Sequence, residues 1–453
     1  MLHRFSYNGV NILLDVDSGS VHVVDGVAYD IAESVHKRLA PQEIYKKFPE
    51  HAHGAIDEAI SEINTLSENG LLFTEEDYAA VKERLDSRSP VVKALCLHVA
   101  HDCNLKCRYC FAGEGEYHGK RELMGFEAGK AALDFLVKNS GSRVNLEVDF
   151  FGGEPLMNFD VVKKLVLYGR SIEKESGKKF RFTITTNGIL LNPETEDFIN
   201  KNMQNIVLSA DGRKAVNDNM RPTAAQTGSY DIIMPKFKRI ADERSKEGKD
   251  YYIRATFTRN NKDFSKDVLH FADLGFKEIS AEPVVAGEDE PYSIRQEDLP
   301  EIFKEYETLA DELLRRRSEG RGFNFFHFNI DLSGGPCVYK RVTGCGSGSE
   351  YMAVSPEGGL YPCHQFVGEE EFRLGDVFKG VSNTNIVDSF KNCNIYTKKG
   401  CGECWAKFYC SGGCMANAWH GDGSIFGEYP IGCEMQKKRI EMAIYIKAKE
   451  MLG

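Results

Sequence analysis

Between residues 94 and 284, short apolar runs alternate with amphipathic helical segments, and no other feature restricts the chain's architecture as much. The pattern predicts strands over 94–99, 145–151, 181–185, 205–209, 251–257 and 278–284. Helices are predicted between them, over 126–139, 160–176, 193–201, 229–245 and 263–274. Strands separated by a helix pair in parallel through a crossover, so this rhythm implies an α/β fold with six βα units, an incomplete (β/α)6 barrel. Reactive groups in such sheets belong on loops at the carboxyl ends of strands. The unusual motifs of this chain follow predicted strands directly.

At 453 residues the chain has room for roughly two to four domains. Residues 1–88 read as a small module of winged-helix size. Apolar alternation over 10–16 and 21–24, around a turn-rich 17–20, predicts a β-hairpin, and helical patterns follow at 26–38, 41–48 and 54–69. Pro41 sits at a helix start and Gly70 at a helix stop, and a charged stretch over 75–88 forms a helix or linker. The barrel is assigned to 89–310. A bridging segment and a Gly- and Cys-rich region, ending in a basic amphipathic helix over 436–451, take up 311–453. With 42% hydrophobic and 28% charged residues, the composition excludes a disordered or fibrous chain. A net charge of −11 leaves no global basic field for a polyanion, so no nucleic acid partner is expected. The absence of an apolar run of ~18 residues or a signal-peptide core predicts no membrane partner and a cytoplasmic location.

Thirteen cysteines then need an explanation, because cytosolic thiols stay reduced; metal is the leading one. Cys103, Cys107 and Cys110 follow the first barrel strand at spacing C-x3-C-x2-C. Three thiolates are one short of closing a tetrahedral site, whereas a 4Fe-4S cubane on three cysteines keeps one iron open. A structural zinc site with a distant fourth ligand, or inert buried thiols, fits the same spacing. The C-terminal third holds Cys345, Cys363, then Cys401, Cys404, Cys410 and Cys414 at C-x2-C-x5-C-x3-C, and Cys433; a zinc ribbon is the alternative there.

With Tyr109 in its aromatic slot, the first trio resembles the C-x3-C-x-aromatic-C signature of radical S-adenosylmethionine (SAM) enzymes. Gly152-Gly153-Glu154-Pro155 follows the second strand, where that family places a GGEP motif receiving the methionyl amino group of SAM. Thr186-Asn187-Gly188 follows the third strand and Ser209-Ala210-Asp211-Gly212 the fourth, with Arg221 twelve residues beyond Ser209. In the resembling peptide-modifying enzymes a serine and an arginine at this spacing contact the SAM ribose and carboxylate. A guanidinium matches a carboxylate bidentately, and glycines admit close backbone approach. The resemblance thus implies a cubane on Cys103, Cys107 and Cys110, with Tyr109, Gly152, Gly153, Glu154, Asn187, Ser209 and Arg221 around SAM. One electron would cleave SAM to methionine and a 5′-deoxyadenosyl radical, which abstracts a substrate hydrogen.

The C-terminal third resembles the seven-cysteine SPASM domain with two auxiliary 4Fe-4S clusters, which makes three clusters in all. By that resemblance Cys401, Cys404, Cys410 and Cys433 hold the distal cluster and Cys345, Cys363 and Cys414 the proximal one. Cys337 either completes the proximal cluster or is a free thiol, leaving an iron for a substrate cysteine. The N-terminal module resembles the peptide recognition element of ribosomal-peptide tailoring enzymes, which captures a leader as an added strand; the candidate surface is 20–24 with the helix 54–69. A stabilising appendage is the alternative. The ensemble is similar to thioether-forming maturases of six-cysteine peptides, the SCIFF and sactipeptide group. This implies a Cys-rich ribosomal precursor as partner and an electron donor such as flavodoxin or ferredoxin. The alternatives are an anaerobic sulfatase-type maturase forming formylglycine and a non-catalytic iron-sulfur or zinc protein. Cys96 reads as a core residue, Cys393 is unassigned, and packing or hydrogen bonding rather than ligation is expected of His98 and His101. His364 and Trp405, beside cluster cysteines, are candidates to support them.

Overall fold

The computed structural model describes residues 1–75, 78–87, 89–117, 119–332 and 338–452. The N-terminal module is a three-stranded antiparallel sheet, β1 (Leu2–Tyr7), β2 (Val10–Asp15) and β3 (Val21–Val24), with helices Gly26–His36, Pro41–Lys47 and His53–Glu68. The expected hairpin is therefore the second half of a sheet whose first strand the sequence pattern did not disclose. In β1 only Phe5 is fully buried, so its polar-rich run carries no apolar alternation. The middle strand has two apolar faces. Leu13 packs with Ile31, Ile56 and Ile63 of the module's own helices, whereas Ile12, Leu14 and Val16 join the core of the main body. Tyr7 donates a hydrogen bond to Asp311 (2.8 Å), and His3 stacks on Trp405 at 3.6 Å between ring centres, so β1 is fastened to the C-terminal half.

Six strands pair in parallel in chain order: β4 (Ala94–His101), β5 (Asn145–Gly152), β6 (Lys179–Thr186), β7 (Asn205–Ser209), β8 (Tyr252–Phe257) and β9 (Glu278–Pro283). Helices including Phe126–Asn139, Phe159–Ser176, Pro193–Asn202, Tyr230–Lys246 and Phe264–Asp273 form the crossovers. The fold is the partial (β/α)6 barrel of radical SAM enzymes. Alternation along each strand divides the sheet into two environments. Leu146, Val148, Phe150, Phe182, Ile184, Ile206, Leu208 and Ile253 are fully buried beneath the helices. Glu147, Asp149, Thr183, Arg254 and Glu282 occupy the opposite register and give the barrel a polar lumen. A lumen of this kind is a ligand space rather than a packed core.

Both edges of the barrel sheet are extended. The helix Leu299–Ser318 runs across residue 310 and leads to β10 (Asn324–Phe325), parallel to β9. At the other edge β11 (Tyr351–Val354) pairs in parallel with β4 and antiparallel with β12 (Gly359–Tyr361). The Cys-rich region is thereby joined by main-chain hydrogen bonds to the strand that feeds Cys103. The last helix, Pro430–Leu452, starts upstream of the expected 436 and carries Cys433 in its first turn. Among the described residues, no helix is long and apolar enough to cross a membrane.

Candidate active site

The loop bearing Cys103, Cys107 and Cys110 leaves the end of β4 and is held from two sides. On one side, Gly153 N–H donates to the Ala100 carbonyl (2.7 Å) and Glu154 N–H to that of Asp102 (2.9 Å). A Cβ on Gly152 would lie 2.3 Å from the Ala100 oxygen, and one on Gly153 would lie 2.2 Å from the Asp102 oxygen. Gly152 also has φ +120°, so both glycines are required by close backbone approach. On the other side, Lys106 and Arg108 N–H groups donate to the Pro222 and Met220 carbonyls, each at 2.9 Å. This pairing carries Arg221 to the thiols.

Cys103, Cys107, Cys110, Tyr109, Gly152, Gly153, Glu154, Asn187, Ser209 and Arg221 all line one cavity at the carboxyl ends of β4 to β7. Phe111, Tyr117 and Phe151 complete its apolar wall. Glu154 is fully buried; its carboxylate accepts Asn187 N–H (2.7 Å), Leu156 N–H (3.0 Å) and the Thr186 hydroxyl (2.8 Å). Burial nevertheless outweighs these bonds and raises its pKa to about 6. The Asn187 side-chain amide donates to the Asn104 side-chain Oδ1 (2.8 Å) and to the Cys103 sulfur (3.6 Å). Arg221 is 8% exposed, and its Nε–H has no hydrogen-bond partner among the described residues. Burial pushes the Cys103 thiol up to about 12 and the Cys107 thiol to about 11, the latter against the pull of Arg221. Thiolates at these positions therefore need a metal's charge.

The spacing of the thiols bears on which metal group they fit. A tetrahedral zinc with Zn–S near 2.3 Å holds its sulfurs about 3.8 Å apart. Among the described residues no three cysteine thiols lie within 4.8 Å of one another. A cubane, which places each thiolate on a different iron, suits the wider spacing.

The C-terminal thiols fall into two neighbourhoods. Cys401, Cys404, Cys410 and Cys433 lie close enough for their charges to interact, and so do Cys345, Cys363 and Cys414. Burial raises Cys363 and Cys410 to about 12 and Cys401 to about 11. Cys401, Cys410, Cys414 and Cys433 line a second cavity, whose far wall is Glu282 and Pro283 of β9. Cys337 lies outside the described residues. Cys96 is 2% exposed in mid-strand, and the Cys393 thiol is fully buried and donates to the Ile425 carbonyl (3.1 Å). His98 and His101 hydrogen-bond each other at 3.2 Å, and His364 meets the Tyr351 hydroxyl at 3.3 Å.

Two groups escaped the sequence reading. Asp211 lies within a motif that drew notice only for its serine, yet its buried carboxylate sits beneath Tyr109 and Arg221; a charged residue just past a strand end was the available signal. Glu282 stands at the end of β9 beside His327 (3.5 Å) and Arg439 (3.7 Å). Burial opposes its ionisation, but His327, Arg439 and Arg254 hold its pKa below the usual carboxylate range. Its partners come from distant segments, and no local spacing foretold them.

A family described as a 4Fe-4S single cluster domain matches residues 92–233, the part of the barrel holding the first trio and Arg221. A cysteine-type anaerobic sulfatase-maturating enzyme of Clostridium novyi is 25% identical over 340 residues, covering 70% of this chain and 86% of the relative. The radical SAM cyclopropyl synthase TigE of Paramaledivibacter caminithermalis is 22% identical over 94% of this chain and 90% of its own. Among solved structures, native anSMEcpe with bound AdoMet and Cp18Cys peptide superposes with a TM-score of 0.66 at 21% identity, covering 80% of this chain and all of that one. In fold and thiol loop this chain is similar to radical SAM/SPASM-type maturases.

Proposed function

We propose that this chain is a radical SAM maturase that cleaves SAM reductively and installs Cys-to-carbon thioether bonds in a Cys-rich ribosomal precursor peptide. The observation that carries the reading is the convergence of three thiols, the Glu154 carboxylate and the Arg221 guanidinium on one cavity. Cys103, Cys107 and Cys110 would hold a cubane with one open iron, and Gly152, Gly153, Glu154, Asn187, Ser209 and Arg221 would surround SAM. The reduced cubane, when bound, would supply one electron to the SAM sulfonium, and the cleavage would yield methionine and the carbon radical that removes a substrate hydrogen.

The chain's own groups set the geometry of that event. Glu154 receives an ammonium group, Arg221 a carboxylate, and the Asp102 and Gly153 backbones bring loop and ligand together without intervening side chains. Phe111, Tyr117 and Phe151 exclude water from the reacting region. Cys345, Cys363 and Cys414 would be three ligands for a proximal auxiliary cluster; a substrate thiol on its remaining iron would bind as thiolate, and the cluster would supply the acceptor for the second electron of bond formation. Cys401, Cys404, Cys410 and Cys433 would hold the distal cluster, through which flavodoxin or ferredoxin exchanges electrons. The precursor's leader is assigned to the outer edge of β3.

A specific observation favours a second reading, formylglycine formation on a protein Cys or Ser. Glu282 places a carboxylate at the second cavity, a candidate for the base that chemistry wants, and a sulfatase-maturating enzyme is among the relatives. Anaerobically reconstituted protein, reduced with dithionite and given SAM, should release 5′-deoxyadenosine; absence of that product overturns both readings. Mass spectrometry of a co-expressed Cys-rich peptide decides between them. A thioether removes two hydrogens and keeps every sulfur, whereas formylglycine made from cysteine loses its sulfur.

A further inference from the structure

We propose that the Tyr109 hydroxyl and the Asp211 carboxylate are positioning residues that lock Arg221 with its Nε–Nη2 edge toward the cavity, so that this edge takes the SAM carboxylate. The proposal rests on the SAM-binding reading above and gives the Tyr109 hydroxyl and Asp211 a defined task within it. Arg221 Nη1 donates to the Tyr109 hydroxyl (2.8 Å), which donates in turn to Asp211, at 2.8 and 2.7 Å from its two oxygens. The direct Arg221–Asp211 approach is longer, 3.7 Å. Asp211 is 1% exposed and fixed from below: its carboxylate accepts Thr256 N–H of β8 (3.1 Å), and its own N–H donates to Asn217 (3.2 Å).

The phenol acts as a spacer. A guanidinium offers five donors on a rigid planar fork, and a carboxylate facing it directly would draw two of them into a bidentate pair. With the hydroxyl interposed, Asp211 balances the charge of Arg221 but engages it only through Nη1. The Nε–H is left buried without a partner on a side chain that lines the cavity. An unpaired buried donor on a cation is costly, and a ligand carboxylate relieves the cost by completing the side-on fork. The aromatic slot of the thiol motif thus holds a tyrosine whose hydroxyl has its own task, one that phenylalanine cannot perform.

The test uses the full chain, reconstituted anaerobically, as wild type, Tyr109→Phe and Asp211→Asn. Iron and sulfide content establishes that each protein holds its clusters. Equilibrium dialysis then measures affinity for SAM and for decarboxylated SAM, which keeps the adenosine, sulfonium and amine but lacks the carboxylate. Tyr109→Phe should weaken SAM about tenfold, the scale of a charge-assisted hydrogen bond, and change decarboxylated SAM by less than twofold. Asp211→Asn should shift the same ratio in the same direction, and it decides the matter if Tyr109→Phe takes up no iron. Unchanged SAM affinity, or equal weakening of both ligands as a merely structural role requires, overturns the proposal. Wild-type protein that binds neither ligand overturns the SAM-binding reading and this inference together. Wild-type binding with an unaltered ratio in both variants overturns this inference alone.

Discussion

At the scale of single residues, the site depends on atoms that are absent as much as on those present. The GGEP backbone crosses the thiol loop so closely that a methyl group on Gly153 meets the Asp102 carbonyl oxygen. Gly153→Ala should therefore destabilise the fold by upwards of ~2 kcal/mol and abolish SAM binding, read by thermal unfolding and dialysis. Gly54, at an exposed position of the helix His53–Glu68, supplies the contrast, because a methyl group added there meets nothing within 4 Å. Gly54→Ala should stabilise by ~0.5 to 1 kcal/mol. Glu154 makes the site pH-dependent. Its folded pKa of about 6 lies above the ordinary 4.5, so it contributes stability that is fully present below the unfolded value and lost as pH rises through 6. The loss amounts to about 2 kcal/mol, which the arriving ammonium of SAM offsets by pairing with the carboxylate. SAM affinity should accordingly fall as pH drops below 6, up to ~tenfold per unit, in dialysis between pH 5.5 and 8. In Glu154→Gln it should be weak and insensitive to pH.

At the scale of elements, the free edge of β3 is where the leader proposal can be examined. Asp15 N–H donates to the Ser20 carbonyl, so those two form a hydrogen-bonded pair of the antiparallel ladder. Counting by twos along the register, His22 and Val24 also point their backbone groups at β2, while Val21 and Val23 point theirs outward. Val23→Pro removes an outward donor and spares the ladder to β2, a substitution that edge strands tolerate. It should weaken binding of a leader peptide at least ~tenfold, measured by fluorescence anisotropy, with little change in melting temperature. The barrel elements were legible because each crossover helix shows its period over ten or more residues and sets off the short apolar runs between them; the strand at 205–209 and the helix at 126–139 match residue for residue. What stayed hidden was set by distant contacts. β1 owes its place to Asp311 and Trp405, and β11 and β12 are three or four residues long, too short to show a period. The first-cluster residues were legible because motif order along the chain is strand order in a parallel sheet. Asp211, Glu282 and Arg439 were not, since their roles arise only where separate segments meet.

At the scale of the whole molecule, the three thiol groups stand on very unequal foundations. The first trio follows a barrel strand that is buried along its full length, Ala94–His101, whereas the region around Cys363 and Cys393 has, among the described residues, a core of its own of only eight buried residues, two of them cysteines. A segment with so little apolar burial relies on cross-linking, and here that means metal. Anaerobic reconstitution should load about 12 iron and 12 sulfide per chain; replacing Cys103, Cys107 and Cys110 with alanine should remove about four of each, and replacing Cys401 and Cys433 about four more. Mononuclear zinc at the same cysteines would bring no sulfide. Stripping the metal should then divide the molecule, because ligand binding to the folded state alone stabilises the part that binds. Iron-free protein should be cut first between residues 393 and 430 in limited proteolysis, while the barrel fragment ending near residue 328 resists. Simultaneous loss of both parts would mean that the pairing of β11 with β4 makes them a single cooperative unit, so the order of cleavage measures how tightly the auxiliary region is coupled to the strand that presents Cys103.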